Sequence, residues 1–409
     1  MKVALIGNMN NNFFALLRYL LDLGMDTHLF LFSNEATHFL PESDSFDFIR
    51  YAQYIHTLPF SNSYRDVYTV DSKIISDIFC DYEILIGCGL SPAFLVKAKR
   101  NLDIFVPYGS DFYAEPFLSA KLFEANSILK RILFFIYFIV YAYTSHLQKK
   151  GIQNSSYIFN LGILTKLHNS VANKLDVHCF PISVPMVYIE NNEYVPKEIE
   201  PVIDRIKYSD LVIVNQSRQY WKTIYEKDSA SVLKGNDILI RGFALFIKRT
   251  ILKSPCLILF EYGPDVQHSK DLVSELQIQP YVLWLPLMSR KFILKILQFA
   301  DIGADQFISP YFGGTGNEHL AAGIPFFSKM ISNEEYRELT GYDLPPGVIS
   351  ASTPEEICKY LLKYESDREF FKHLGFENKK WFDEYAGAGL ARKYKTIIED
   401  IYRNKMAHG

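Results

Sequence analysis

The chain has 409 residues, 49% hydrophobic and 15% aromatic, with a formal net charge of −3. That length exceeds one compact core and predicts two domains, and the near-neutral charge gives no reason to expect nucleic acid as a partner. Cys80, Cys88, Cys179, Cys256 and Cys358 lie scattered without C-x-x-C spacing, which points to reduced thiols and against a disulfide frame or a zinc site.

In chain order, the apolar run 3–7 is too short for a signal peptide and turns polar at Asn8. A helix-periodic stretch, 13–23, is closed by Gly24, and residues 27–32 are apolar again. Strand, helix, glycine cap and strand make a βαβ unit and predict a parallel sheet. Residues 84–87 and 104–107 add two buried strands, with a helix from Pro92 between them, so residues 1–190 are expected to form a Rossmann-like domain. A polar, proline-bearing stretch predicts a linker at 191–206. Beyond it, 211–215, 256–261, 281–285 and 302–305 read as strands, with helices at 235–249 and 289–299. This alternation predicts a second doubly wound domain over 207–375. Thr353-Pro354-Glu355-Glu356 opens a further helix, with proline in the first turn and carboxylates at the positive end. Residues 376–409 are expected to be helices that cross back to the first domain. The fold class expected is α/β, two Rossmann-like doubly wound domains facing each other across a cleft, with ligands at the carboxyl edges of the sheets.

Charge is uneven along the chain. No acidic residue falls between Glu124 and Asp176, while Lys130, Arg131, Lys149, Lys150, Lys166 and Lys174 all lie inside. Within that window 132–143 is apolar on every side if helical, yet shorter than the roughly 18–20 residues a bilayer span requires. It reads either as a core helix or as an interfacial segment flanked by basic pairs. A cytoplasmic protein with peripheral contact at the inner face of the membrane, through 125–175, is the expectation.

Two motifs carry chemistry. Lys234-Gly235-Asn236-Asp237-Ile238-Leu239-Ile240-Arg241-Gly242-Phe243-Ala244 opens an amphipathic helix with a lysine, where backbone N–H groups and the dipole favour an anion. Arg218 stands just past the strand 211–215, so two cations are expected to converge on a diphosphate and neutralise it as the sugar–phosphate bond breaks. Lys222, on the same loop, is the alternative to Arg218. The second motif is Gly313-Gly314-Thr315-Gly316-Asn317-Glu318-His319-Leu320-Ala321-Ala322-Gly323-Ile324-Pro325. Its first three glycines let the backbone approach a ligand and aim N–H groups at phosphate or sugar oxygens. Glu318 is expected in the first turn of the helix that follows, where it either accepts both ribose hydroxyls or caps the helix. Asp305, at a strand end, reads as a functional or a structural carboxylate.

In the first half, Tyr108-Gly109-Ser110-Asp111 follows a buried strand. Asp111 reads as a general base, if the reaction inverts, or as a helix cap. Asn8, Asn10, Asn11 and Asn12 occupy the first βα turn, as acceptor and phosphate contacts or as ordinary turn formers. The ten histidines show no H-x-x-x-H spacing, and no metal site is expected.

The order and separation of the two motifs resemble the C-terminal half of the GT-B-type glycosyltransferases, in particular the retaining family-four branch. Ser217-Arg218 followed by Lys234-Gly235 is similar to that family's arginine and Lys-Gly helix. Glu318, ahead of Gly323-Ile324-Pro325, is similar to its ribose-binding glutamate. The family's other glutamate would fall at Pro310; Asp305-Gln306-Phe307 before Gly313-Gly314 instead resembles a bacterial variant. Tyr108-Gly109-Ser110-Asp111 resembles the family's His-Gly-Ser/Thr-Asp element, with Tyr108 in place of histidine. The resemblance implies a metal-independent hexosyltransferase of polysaccharide biosynthesis. It would need no cofactor and would move a sugar, with retention, from a UDP- or GDP-linked donor to a hydroxyl on a glycan or lipid-linked glycan. It assigns donor contacts to Arg218, Lys234, Gly313, Gly314, Thr315, Gly316 and Glu318, and catalysis to Asp111 and Asp305. Acceptor contacts go to Asn8, Asn10, Asn11, Tyr108 and Ser110. Two other readings stand beside it. One is a non-catalytic GT-B-shaped partner or chaperone, which Pro310 and Tyr108 favour. The other is a nucleotide-sugar epimerase, whose carboxylate and histidine pairs find no match here.

Overall fold

The structure, a computed structural model, describes residues 1–117, 128–160, 166–190, 194–224 and 232–408. The chain divides into two compact units, Met1–Tyr188 with Ala388–Gly409, and Ile189–Gly387. In the first unit, β1 (Lys2–Ile6), β2 (Asp26–Leu31), β3 (Ile55–Thr57), β4 (Ile84–Gly87), β5 (Ile104–Phe105) and β6 (Tyr157–Ile158) lie in the order β3-β2-β1-β4-β5-β6. The second unit carries β7 (Leu211–Asn215), β8 (Pro255–Glu261), β9 (Val282–Pro286), β10 (Ile302–Ala304), β11 (Phe326–Ser328) and β12 (Val348–Ser350). Their order is β12-β11-β10-β7-β8-β9. Counted from its own first strand, the second sheet repeats the order of the first, and all the pairings are parallel. Each unit is therefore a doubly wound α/β layer structure.

The sequence dictates this locally. β1 is buried from Val3 to Ile6 and β7 along its whole length, as a central parallel strand covered on both faces must be. The helix Asn12–Asp22 buries Phe13, Phe14, Leu16, Leu17 and Leu20, and Gly24 ends the turn at φ +75. At Pro354–Ser366 the Thr353 side chain and Glu356 form a reciprocal capping box with proline in the first turn. β3, β6, β11 and β12, which the sequence pattern does not reveal, have two or three residues each.

Around the expected linker, 191–193 fall outside the described residues, while Glu200–Ile206 is a helix of the second unit with Ile203 and Ile206 buried. The last helices divide between the units. Arg368–Tyr385 stays in the second, where buried Asn378 donates to the Ile324 carbonyl at 2.9 Å and accepts from the Gly347 N–H at 2.7 Å. Ala388–His408 belongs to the first unit. There Tyr394, fully buried, meets the Phe159 ring edge-on at 5.3 Å and donates to the Ser183 carbonyl at 3.0 Å.

The apolar stretch 132–143 lies in the helix Ile128–Gln153. Leu147 and Ile152 of that helix face the core, but Tyr137 is 70% and Ile139 44% exposed, so the described part of 132–143 is not an enclosed core helix. Residues 125–127 and 161–165 of the basic window lie outside the described residues. Among the described residues, no helix is long and apolar enough to cross a membrane.

Truncating Tyr394 should show that Ala388–His408 is integral to the first unit. Tyr394→Ala should cost roughly 3–5 kcal/mol, the usual price of removing a buried aromatic. Urea unfolding followed by a first-unit probe measures it, and a loss below about 1 kcal/mol would mean that the helix is merely apposed.

Candidate functional site

In the second sheet the winding reverses between β7 and β10, the place where doubly wound folds open a crevice beyond the carboxyl ends of the strands. The chain fixes this point with buried amides. Asn215 Nδ2 donates to the carbonyls of Ala304 (2.8 Å) and Asp305 (3.1 Å), and its Oδ1 accepts from Asn236 Nδ2 at 3.1 Å. Asn236 Oδ1 in turn accepts from the Tyr220 N–H at 2.9 Å. β7, β10, the loop after β7 and the helix Asn236–Ile247 are thereby tied together. Asp265, fully buried, adds a second anchor by accepting from the N–H groups of Trp221 and Lys222, both at 2.7 Å.

Lys234 precedes that helix, and Gly235 takes the left-handed turn, φ +70, that starts it. Lys234 Nζ donates to Gln306 Oε1 at 2.6 Å, and Gln306 Nε2 donates to the Tyr311 carbonyl. Burial first, and then the charge of Arg218, lower the lysine pKa, while Asp305 acts in the opposite direction. The Arg218 charge thus acts on Lys234. Arg218 lies over the Tyr220 ring at 5.1 Å. Lys222, the alternative, is exposed and turns toward His268, with Nζ 3.4 Å from Nδ1.

The glycine motif is the start of the helix Gly314–Ala322, closed by Gly323 at φ +70. A side chain at Gly313 or Gly314 would meet nothing within 4 Å, whereas one at Gly316 would collide with Phe312. The first two glycines therefore leave an open approach to a helix N-terminus, and the third makes room for packing. Because the helix begins at Gly314, Glu318 sits in its second turn and not the first, and no acidic residue caps the helix. Gln216 Nε2 donates to Glu318 Oε2 at 3.0 Å. His319 is fully buried against Gly303, its Nε2 3.2 Å from the Ala304 carbonyl, and burial pushes its pKa down to about 4. It is a neutral packing residue.

Asp305 is 2% exposed. It accepts from the Gly313 N–H at 2.7 Å and from Ser217 Oγ at 3.3 Å. Burial raises its pKa, and the Gly313 N–H and the Lys234 charge oppose the rise. The expectation that the Gly313 amide faces a ligand is corrected here, since Asp305 takes it. Asp305 itself is enclosed and anchors the loop through these bonds.

The first unit has a corresponding cluster at its own carboxyl edge. Asn8 and Asn11 are each 1% exposed. Asn8 donates to Asn11 Oδ1 (2.8 Å) and accepts from the Phe14 N–H (3.0 Å), and Asn11 donates to the His38 carbonyl (3.0 Å). Their amides hold the turn together, which corrects the expectation that they contact an acceptor. Asn10, exposed at φ 53, and half-buried Asn12 remain beside the turn. Asp111 is 1% exposed and accepts from the N–H groups of Gly109 (2.8 Å), Gly89 (3.0 Å) and Tyr108 (3.1 Å). Those bonds clamp the loops after β4 and β5, so Asp111 is neither an available base nor a cap of the following helix. Burial still outweighs them and lifts its pKa to about 7. Ser110 is exposed, and the half-buried Tyr108 hydroxyl accepts from Asn62 Nδ2 at 3.3 Å. Glu35, which the sequence did not single out, accepts from the Asn8 N–H at 3.1 Å and is raised by burial. Its one available signal was its place just beyond the end of β2. Among the described residues, no cluster of three histidine, cysteine or acidic side chains could hold a metal ion.

Several solved proteins share this fold. A glycosyltransferase from Rickettsia africae matches at TM-score 0.61 and 13% identity, with 98% of this chain and 99% of that one covered. HepE of Anabaena, solved with UDP, matches at TM-score 0.53 and 12% identity over the whole of both chains. A candidate UDP-N-acetylglucosamine 2-epimerase from Listeria monocytogenes matches at TM-score 0.51 and 10% identity, with 98% and 97% covered. No family model matches the sequence, and no curated protein matches it. The chain has the two-unit GT-B fold, and because transferases and an epimerase share it, the reaction must be argued from the site.

The Asp111 clamp sets a pH dependence. Its carboxyl holds a proton in the folded chain up to about pH 7, against an ordinary value of 3.8. The stability it contributes is therefore complete below that ordinary value and is lost as pH rises through 7. Wild type should lose stability to urea between pH 4 and 7.5 more steeply than Asp111→Asn. Identical slopes would show that Asp111 does not titrate in this range.

Proposed function

We propose that the protein is a glycosyltransferase whose second unit binds a nucleoside diphosphate sugar, UDP-linked as in the HepE complexes. The observation that carries this reading is the placement of Arg218, just after β7, and Lys234, just ahead of the helix Asn236–Ile247, at the switch point where a glycine-opened helix also begins. Lys234 Nζ donates to a neutral amide, that of Gln306, and a phosphate oxygen is a stronger acceptor for an ammonium group. The two cations and the amides at the open N-terminus of Gly314–Ala322 hold the diphosphate, while Glu318 accepts the ribose hydroxyls.

In the transfer, the bond from the anomeric carbon to the diphosphate oxygen breaks and a bond to the acceptor hydroxyl oxygen forms. Negative charge grows on the diphosphate, where Lys234 and Arg218 stabilise it. With Asp111 and Asp305 both enclosed, the acceptor proton passes to the departing phosphate oxygen. This is consistent with retention, which the family resemblance implies, and requires no divalent metal. Acceptor recognition falls to the carboxyl edge of the first unit, to Asn10, Tyr108 and Ser110 with Glu35 beside them. The acceptor is a hydroxyl on a glycan or lipid-linked glycan.

Lys234→Ala and Arg218→Ala should each weaken UDP binding by roughly 1.5–3 kcal/mol, the cost of losing a charge-assisted hydrogen bond, and leave uridine binding nearly intact. Calorimetry in EDTA tests this together with metal independence. Unchanged UDP affinity in both variants, or UDP binding that appears only with Mg²⁺, would sink the assignment.

A lipid-linked acceptor would bring the first unit to a membrane. Each Lys or Arg of the 125–175 window near an anionic surface contributes about 1 kcal/mol, screened over about 8 Å at physiological ionic strength. Exposed Tyr137 and Ile139 would add insertion that salt does not remove. The protein should float with anionic vesicles at low salt, less so at high salt, and less again after Lys149→Glu with Lys150→Glu. No flotation at low salt would point to a soluble acceptor.

A further inference from the structure

The loop leaving β7 carries a run of polar side chains, Asn215, Gln216, Ser217 and Gln219, all 9% exposed or less. Asn215 and Ser217 serve the scaffold, since their polar atoms bond to Ala304, Asp305 and Asn236 within the same crevice floor. Gln216 differs. Its amide reaches across to the helix Gly314–Ala322, 102 positions along the chain, and donates to Glu318 Oε2 at 3.0 Å. Its carbonyl oxygen is shielded and has no hydrogen-bond partner among the described residues.

A buried carbonyl without a donor is uncommon in folded proteins because it forfeits its bonds to water. Methionine has the length of glutamine, would fill the same volume, and would remove that cost. What methionine cannot supply is the N–H on Glu318. A side chain kept against local stability marks a place where function governs the choice. We propose that Gln216 is a positioning residue for nucleotide recognition, holding the Glu318 carboxylate in the orientation that accepts the ribose hydroxyls. The inference rests on the reading that the second unit binds a nucleoside diphosphate through Lys234 and Glu318. It adds a residue that touches Glu318 and not the ligand.

The test separates ribose recognition from general binding. Calorimetry is run with UDP, 2′,3′-dideoxy-UDP and pyrophosphate on wild type, Gln216→Met, Gln216→Asn, Glu318→Ala and the Gln216→Met/Glu318→Ala double variant. Wild type should prefer UDP over the dideoxy analogue by about tenfold or more, the worth of one good hydrogen bond to a charged group. Gln216→Met should shrink that preference to within about threefold and leave pyrophosphate affinity unchanged. Gln216→Asn, one methylene too short to reach Glu318, should do the same and serves if the methionine variant fails to fold. The double variant should be no worse than Glu318→Ala alone, because the two residues act through one contact. A full ribose preference in both Gln216 variants overturns the inference. So does an equal loss of UDP and pyrophosphate, which would mean a packing role. Failure of wild type to bind UDP at all would overturn the nucleotide reading itself, and the Gln216 inference with it.

Discussion

The site of the second unit depends on one buried amide, Asn215. A parallel sheet whose winding reverses has two neighbouring strands, β7 and β10, whose following segments depart in opposite directions. The Ala304 and Asp305 carbonyls lie at this point, and His319 Nε2 and Ser217 Oγ supply one donor to each. Asn215 adds a second donor to each and so ties β7 to the end of β10, and it accepts from Asn236 at the head of the next helix. The positions of Ser217, Arg218 and Lys234 follow from this knot, since each lies a few residues from one of its ends. An apolar residue at 215 would suit the strand but would take one of two donors from each of these carbonyls and leave Asn236 Nδ2 without Asn215 Oδ1, at about 1–3 kcal/mol for an unsatisfied buried amide.

Around that knot, the anchoring side chains are not the ones proposed to handle a ligand. Asp305, Asp265 and, in the first unit, Asp111 are enclosed and spend their lone pairs on backbone N–H groups of loops. The charges left nearer the surface are Lys234, Arg218 and Glu318. Carboxylates under a loop fix its amides, while the cations, half-buried, and the open helix end stand at its edge. Burial raises the pKa of Asp305 and Asp111 against the pull of the N–H groups they hold, a shift that enclosure alone accounts for. A raised carboxyl pKa at the end of a strand is thus weak evidence for an acid or a base unless a substrate can reach it.

Much of the architecture was legible because long apolar strands and periodic helices declare themselves. Residues 211–215 read as a strand and are β7, and Thr353-Pro354-Glu355-Glu356 reads as a helix start and forms a capping box. β3, β6, β11 and β12 were not legible, because two or three residues are too few to show a period, and neighbouring strands hold them in place. The residues of the donor motif were legible as types. Their roles were less so, because a carboxylate at a strand end looks the same in sequence whether it faces a ligand or a loop amide.

The sequence by itself determined the two doubly wound units, the Lys234-Gly235 helix start and the glycine-opened helix that carries Glu318, because these rest on local periodicity, glycine and dipole. Only the tertiary structure decided which charges are spent. It enclosed Asp111 and Asp305, engaged Asn8 and Asn11 in their own turn, and brought Gln216 to Glu318. Those outcomes depend on contacts between segments far apart in the chain, where a hydrogen bond and the exclusion of water are set by packing and leave no local pattern to read.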